Sequence, residues 1–314
     1  MKVAAIDAGT NTLRLLIASS GEQGHLVEHV RMVRFALLGR DVATTGRLRD
    51  DAIATALDIC RDYAATIAEH GCTAVRFVAT AATREAANAA VLLDGVRAIL
   101  GPDASIDVVS GDEEAALSFA GAVSGVDGLV EPVLVMDSGG GSTELVRGGA
   151  DGAIWQAESV PIGSRRMRDT CLRDDPPTEA QLTSARATVR RALAHAEIDL
   201  DDVRTFVGVA GTVTTMAALA LRLPAYDRSR VHGARLSLDT VGEVADRLLS
   251  LSVAEIAALP CVEPQRAEVL GGGALVVDEV AQHVGTHTLV VSEADILDGI
   301  ALGLLRAPEG HVPS

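Results

Sequence analysis

The sequence contains few aromatic residues and almost no lysine. Only 2% of the 314 residues are aromatic, whereas 48% are hydrophobic, so small aliphatic side chains must supply most of the core. Such a core is typical of helices packed on sheets, and a chain of this length forms one large domain or two of medium size. Lys2 is the only lysine, so arginine supplies the other positive side chains. Arginine is well suited to bidentate contacts with phosphate, and GC-rich codon usage is the alternative explanation of the bias.

Positive charge, long apolar runs and paired cysteines are also scarce. The formal net charge of −16 argues against general binding to nucleic acid or to a membrane surface. No apolar run approaches the roughly 18 residues of a membrane span, and the N-terminus lacks a basic segment followed by an apolar one, so we expect a cytoplasmic protein. The cysteines lack metal-binding spacing, and we expect reduced thiols in the core at Cys60, Cys72, Cys171 and Cys261.

Strand patterns alternate with helix patterns along the chain, which predicts an α/β fold. Residues 50–70 have helical spacing, AVRFVAT and SIDVVS have strand patterns, and GDEEAALSFAGA follows as a helix. The stretch SGVDGLVEP, residues 124–132, is rich in Gly, Pro and acidic residues and is typical of a domain boundary. We therefore predict an N-terminal domain over residues 1–124 and a C-terminal domain over 125–314, whose last helix is free to pack back on the N-terminal domain.

Two segments, AIDAGTNTLRLLIA and VMDSGGGSTELV, follow one pattern. Each has an apolar strand that ends near an aspartate, a turn of Gly, Ser and Thr residues, and a second apolar strand; the aspartates are Asp7 and Asp137. This repeat predicts two similar lobes that face each other across a cleft, with both turns at the cleft.

Both turns contain more polar groups than a two-residue hairpin needs. Successive backbone N–H groups in a glycine-rich turn form an anion-binding site, and nearby hydroxyls add donors, so we predict phosphate binding. Flexible hairpins without a ligand are the alternative. The predicted phosphate-binding residues are Gly9, Thr10, Asn11, Thr12, Ser138, Gly139, Gly140, Gly141, Ser142 and Thr143.

Acidic residues accompany the turns. A hard divalent cation takes one or two carboxylates plus phosphate oxygens, which suits Asp7 and Asp137; stabilisation of the two turns is their alternative role. Three acids, Asp112, Glu113 and Glu114, begin the helix after SIDVVS. They suit the helix dipole, and one glutamate also suits the role of a general base that activates water.

Together these motifs resemble those of the exopolyphosphatase and guanosine pentaphosphate phosphohydrolase family, within the superfamily of actin, sugar kinases and Hsp70-type ATPases. The resemblance rests on the two turns and on ATAATREAAN followed by VSGDEEA. It extends through VGVAGTVTTMAAL, YDRSRVHG, GGGALVV and SEADILDGI, and so covers nearly the whole chain. It implies a two-lobed, actin-like (ribonuclease H-like) α/β fold with the active site in the interdomain cleft.

The resemblance also implies residue roles. Glu114 is the second acid of the family's S-G-x-E-E-A stretch and becomes the catalytic base, with Glu113 as its supporting neighbour. Ser138 departs from the family, in which many members have an apolar residue or glycine at this position. The remaining implied residues are Asp7, Asp137 and Glu144 for the metal and Arg84, Gly211 and Thr212 for the substrate.

The implied activity is that of an exopolyphosphatase, which releases orthophosphate from the end of inorganic polyphosphate. The resemblance implies Mg²⁺ or Mn²⁺ as cofactor, leaves open a role for K⁺, and implies a homodimer. The first alternative is guanosine pentaphosphate 5′-phosphohydrolase, with guanosine pentaphosphate or tetraphosphate as substrate or regulator. A non-catalytic nucleotide or polyphosphate sensor is the second.

Two further expectations concern the substrate. The chain ends soon after DGIALGLLRAPEG, without the helical C-terminal region of longer family members, so we expect short polyphosphate chains. An acidic protein must also attract a polyanion locally. We therefore expect an arginine patch from Arg84 and some of Arg31, Arg34, Arg165 and Arg166.

Overall fold

A computed structural model describes residues 1–21 and 26–306 of the chain. These residues form two compact units, of which the second is Gly125–Asp295 and the first is Met1–Ser124 together with the segment from Ile296. The chain thus enters the second unit within the Gly- and Pro-containing stretch and leaves it before the last helix. No helix in the described ranges is both long and apolar enough to cross a membrane.

Strands and helices alternate in both units. The strands are β1 (Lys2–Ala8), β2 (Thr12–Ser20), β3 (Leu26–Phe35), β4 (Ala74–Ala79), β5 (Ser105–Val108), β6 (Val133–Ser138), β7 (Thr143–Gly148), β8 (Ile154–Val160), β9 (Thr205–Val209), β10 (Arg235–Ser237) and β11 (Thr288–Val291). The helices are α1 (Val42–Thr45), α2 (Asp50–Glu69), α3 (Ala81–Glu85), α4 (Ala89–Leu100), α5 (Gly111–Ser124), α6 (Ser164–Thr170), α7 (Glu179–His195), α8 (Ala210–Ala220), α9 (Arg228–Val231), α10 (Leu238–Ser250), α11 (Val253–Ala257), α12 (Ala267–Ala281) and α13 (Ile296–Arg306).

The first unit has a sheet with both faces covered. Its strands follow the order β3-β2-β1-β4-β5, in which β1 to β3 are antiparallel neighbours and β4 and β5 run parallel to β1. Alternate residues of β1 face opposite layers, because Ala4 and Ile6 pack with α2 and α4, whereas Val3 and Ala5 pack with α13. Burial on both faces explains why the sequence of β1 is almost continuously apolar.

The second unit repeats this topology. Its strands follow the order β10-β11-β9-β6-β7-β8, in which β6 to β8 are antiparallel and β9 and β11 run parallel to β6. The order β8-β7-β6-β9-β11 therefore matches that of the first unit, and β10 is an added edge strand. This match confirms the predicted α/β fold with an internal repeat.

The expectation that all four cysteines lie in the core is wrong for two of them. Cys60 and Cys261 are buried free thiols, but Cys72 and Cys171 are only half-buried. The latter two lie in the short segments that follow α2 and α6, where the chain has already left the helix. Burial raises the pKa of the Cys60 thiol to about 12, so this group stays protonated at neutral pH.

Candidate active site

The first phosphate turn, residues 9–11, joins β1 to β2. Its carbonyl oxygens accept hydrogen bonds from the segment after β3: Gly39 N–H donates to Thr10 at 2.7 Å and Leu37 N–H to Asn11 at 2.9 Å. In a trans peptide each carbonyl points opposite to the following N–H group, so the Asn11 and Thr12 N–H groups face away from this segment. The turn therefore presents backbone donors on one side, as an anion-binding site requires.

The second phosphate turn, residues 139–142, has the same construction. The carbonyls of residues 139–141 accept hydrogen bonds of 2.8–3.0 Å from the backbone of the first residues of α6 and from Arg166 Nε. Three successive N–H groups, ending with that of Ser142, therefore point away from α6. Gly163 permits this contact, because a Cβ there would lie 2.4 Å from the Gly140 carbonyl oxygen.

The two turns differ in the residue that faces each aspartate across the strand pair. Asp7 lies opposite Arg14, and its Oδ2 accepts hydrogen bonds from Arg14 Nε at 2.9 Å and Nη2 at 2.7 Å. Asp137 lies opposite Glu144 in the equivalent register, and both carboxylates are buried. The first turn thus carries a balanced ion pair, whereas the second concentrates two carboxylates on one face of its strands.

The acidic pair of the second turn is surrounded by oxygen atoms. Glu144 Oε1 accepts hydrogen bonds from Ser142 Oγ at 2.7 Å and from Ser159 Oγ at 2.8 Å. The buried hydroxyl of Ser138 has no hydrogen-bond partner among the residues that the structure describes. Carboxylate and hydroxyl oxygens suit a hard cation such as Mg²⁺, which keeps waters and substrate oxygens as further ligands. No group of three or more His, Cys, Asp and Glu side chains within the described ranges could hold a metal, so the structure offers a pair of carboxylates.

The predicted base and a predicted phosphate-binding arginine lie together in the first unit. Glu114, in the first turn of α5, is 8% exposed, and its Oε2 accepts a hydrogen bond from Arg84 Nη1 at 3.0 Å. The same Nη1 donates to the Val109 carbonyl at 2.8 Å, which fixes the guanidinium to the chain segment before α5. The fold therefore holds a buried carboxylate beside an arginine that can neutralise a phosphate.

Glu113 belongs to a different contact. Its Oε1 accepts a hydrogen bond of 2.6 Å from Arg76 Nη2, and Arg76 Nε donates to Asp107 Oδ2 at 2.9 Å. The structure therefore does not bring Glu113 to Arg84. Sequence reasoning missed Arg76, although a charged residue inside the apolar strand AVRFVA is a visible signal.

Gly211 and Thr212 lie in the first turn of α8, directly after β9. A Cβ on Gly211 would lie 1.7 Å from Arg266 Nη1, so the guanidinium of Arg266 rests against the start of this helix. Ala210, between strand and helix, has φ of +69°, a conformation that side chains other than glycine rarely adopt. No local motif of the sequence indicates Arg266, which approaches the start of α8 only through the packing of the helices.

Two arginines of the expected patch form ion pairs within their own units. Arg31 pairs with Asp298 at 2.9 Å, and Arg165, only 2% exposed, pairs with Glu268 at 3.0 Å. These two are therefore poor candidates for contact with substrate. Arg166 lies at the second turn and Arg34 is exposed, so these residues and Arg84 remain in the predicted patch.

The fold and these side chains define an α/β protein of two units with the same sheet topology, two glycine-rich turns and a buried glutamate. Residues 16–307 match the Ppx/GppA phosphatase family, and the chain belongs to this family.

Similar proteins agree in sequence and in structure. The chain is 42% identical to Exopolyphosphatase 2 of Mycobacterium tuberculosis over 96% of its own length and 98% of the relative's. The crystal structure of a family member from Aquifex aeolicus has a TM-score of 0.82 at 30% identity and covers 99% of both chains. That of an exopolyphosphatase from Cytophaga hutchinsonii has a TM-score of 0.89 at 25% identity and covers 97% of this chain and 98% of that one.

Proposed function

We propose that the protein is an exopolyphosphatase that hydrolyses the terminal phosphoanhydride bond of inorganic polyphosphate. The observation that carries this proposal is the contact between the buried Glu114 and the half-buried Arg84, in which a general base lies beside a cation for phosphate. A kinase of the same superfamily has to exclude water from its phosphoryl group, whereas a glutamate in this position favours water as the nucleophile. The relatives named exopolyphosphatases support the same activity.

The reaction needs positioning and charge neutralisation rather than a covalent intermediate. The oxygen of a water molecule attacks the terminal phosphorus while Glu114 accepts its proton. The bond between that phosphorus and the bridging oxygen breaks, which releases orthophosphate and leaves a chain shorter by one phosphate. Arg84 and the backbone N–H groups of the turns stabilise the negative charge on the phosphate oxygens.

We propose Mg²⁺, or Mn²⁺ in its place, as the cofactor, with Asp137 and Glu144 as its protein ligands. The buried Ser138 hydroxyl without a partner supports a polar ligand at this turn. When bound, the cation neutralises charge on the phosphate chain and fixes its orientation. Asp7 is held by Arg14, and we assign it to the positioning of Arg14 and the first turn rather than to the metal.

The test is orthophosphate release by the purified protein with Mg²⁺. Short polyphosphate, long polyphosphate, guanosine pentaphosphate and ATP are compared at equal concentrations of terminal phosphate. We expect preference for polyphosphate, and loss of about 100-fold or more in kcat for Glu114→Gln, which keeps the size but not the basicity of the side chain. Glu69→Gln, on the exposed surface of α2, is the matched control.

Other results would replace this proposal. Preference for guanosine pentaphosphate would make the protein a 5′-phosphohydrolase of the same family. Binding of polyphosphate without hydrolysis, unchanged in Glu114→Gln, would make it a sensor. The homodimer, the cytoplasmic location and a role for K⁺ stay predictions from the sequence.

A further inference from the structure

The strand β4 carries a charged residue on a face that packs inside the first unit. Arg76 is the charged residue of the otherwise apolar segment AVRFVA, and it is only 7% exposed. Its neighbour Phe77 packs in the core beneath α2 and α4, and Val78 packs on the opposite face with α13. Because side chains alternate along a strand, Arg76 shares the face of Val78. The guanidinium therefore lies on the side of the sheet that carries α13.

The Arg76 guanidinium connects three elements. From β4, the Arg76 guanidinium donates hydrogen bonds to Asp107 of β5 at 2.9 Å and to Glu113 of α5 at 2.6 Å. Ser105 Oγ donates to the same Asp107 oxygen at 2.8 Å and fixes that carboxylate in turn. Burial lowers the pKa of Arg76, but the hydrogen bonds with Asp107 and Glu113 outweigh burial and raise the pKa overall, so the group stays charged. The bond to Glu113 thus ties the first turn of α5 to the sheet.

The next residue of that turn is the proposed general base. Side chains of consecutive helical residues point about 100° apart, so the direction of Glu113 sets the direction of Glu114. The backbone of this turn is held by Ser110, whose Oγ accepts from Glu113 N–H at 3.1 Å and whose carbonyl accepts from Glu114 N–H at 3.0 Å. With Glu113 held on the sheet, the Glu114 carboxylate reaches Arg84.

We infer that Arg76 is a positioning residue for the reaction: through Glu113 it fixes the rotation of the first turn of α5 and so keeps Glu114 directed at Arg84. This inference rests on the proposed function. Arg76 touches neither substrate nor water in this assignment. Without Arg76, the carboxylates of Asp107 and Glu113 would repel each other, and the start of α5 would turn away from the sheet.

Two kinetic variants test the inference. Arg76→Met removes the guanidinium, and Glu113→Ala removes its acceptor on the helix. Both should lower kcat by roughly 10- to 100-fold and leave KM for polyphosphate within about twofold, because misplacement of a catalytic group by about 1 Å has costs of this order. Glu113→Gln keeps an oxygen acceptor for Arg76 and should retain most of kcat. The double variant Arg76→Met/Glu113→Ala should be no slower than Arg76→Met, since each of the two changes breaks the same contact between residues 76 and 113.

A second readout does not depend on activity. Amide hydrogen exchange at residues 111–116 should become at least about tenfold faster in Arg76→Met and Glu113→Ala, because the first turn of α5 loses its attachment. Arg97→Met is the matched control, since it breaks an exposed ion pair with Asp94 on α4 of the same unit. We expect neither kcat nor exchange in α5 to change in this control.

The outcomes separate the two proposals. If the unaltered protein hydrolyses no polyphosphate, the proposed function fails, while faster exchange in α5 would still show that Arg76 orients this turn. Unchanged kcat and unchanged exchange in folded Glu113→Ala would overturn the inference, as would a rise in KM without a fall in kcat. If Arg76→Met does not fold, the Glu113 variants decide alone.

Discussion

At the residue scale, the two phosphate turns differ in charge although their backbones repeat. Asp7 faces an arginine, whereas Asp137 faces Glu144 in the same register. Two buried carboxylates on adjacent strands repel each other unless a cation lies between them or one is protonated. We therefore propose the second turn as the cation site, and the first as the turn that holds an arginine.

This difference predicts unequal effects of two matched substitutions. Asp137→Asn should raise the Mg²⁺ concentration for half-maximal activity by about tenfold or more, because it removes a charged oxygen ligand. Asp7→Asn should weaken the contact with Arg14 and leave the Mg²⁺ dependence within about twofold. Both variants are titrated with Mn²⁺, and the concentration of free Mn²⁺ is measured from its electron paramagnetic resonance signal. This measurement reports binding of the ion without turnover. Equal losses of Mn²⁺ affinity in both variants would place Asp7 among the ligands.

Local motifs in the sequence pointed to some of the side chains that the structure brings together and missed others. Glu114 and Arg84 could be found because each lies in a short motif next to a strand end, and parallel strands bring such ends together. Arg76 and Arg266 could not be assigned partners in this way. Their contacts with Glu113 and Gly211 depend on how helices pack on the sheet rather than on a local pattern.

At the element scale, the start of α6 acts as a support for the second turn. The N–H groups at the start of α6 donate hydrogen bonds to the carbonyls of the turn, so the N–H groups of the turn itself point away from α6. Gly163, just before α6, has φ of −125° and ψ of 162°, which any residue can adopt. The requirement for glycine is therefore steric and arises from the close approach of Gly140.

This steric requirement predicts the effect of a single methyl group. Gly163→Ala should displace the second turn, because the new Cβ would lie 2.4 Å from the backbone of Gly140. We expect kcat/KM to fall by about 100-fold at temperatures well below the unfolding transition. Gly303→Ala is the control, since a Cβ at this position in α13 meets nothing within 4 Å. It should leave activity unchanged and stabilise the protein by about 0.5–1 kcal/mol. Full activity of Gly163→Ala would contradict the role assigned to α6.

Helix and strand patterns were informative where local signals were strong. The helix predicted for residues 50–70 is α2, Asp50–Glu69. The sequence pattern could not show to which of the two units the last helix belongs. Its apolar residues suit any sheet face, and only the three-dimensional contacts place α13 on β1 and α5.

At the scale of the whole molecule, the first unit is built from two separate stretches of chain. The second unit, residues 125–295, is inserted between them and has its own core. The core of the first unit on the α13 face includes Ile296, Ile300 and Leu304, which are buried against Val3 and Ala5 of β1. Residues 1–124 alone would therefore expose one face of their sheet to water.

This chain path predicts which fragments fold. Residues 125–295 should unfold cooperatively by themselves, because the fragment keeps its sheet and its core. Residues 1–124 should be largely unfolded or aggregated, since loss of α13 exposes the side chains that pack on it, at a cost of about 1.5–3 kcal/mol for each large apolar residue. Circular dichroism during thermal unfolding, together with sedimentation, distinguishes these states.

A joined fragment isolates the contribution of the last helix. Residues 1–124 connected by a flexible linker to 296–314 restore both stretches of the first unit without the second. We expect this fragment to be monomeric and to unfold cooperatively, because α13 again covers β1 and packs against α5. A matched fragment with Ile300→Asp should lose this transition, since it places a charge in the core. Cooperative unfolding of residues 1–124 without α13 would show that the two-stretch description of the first unit is wrong.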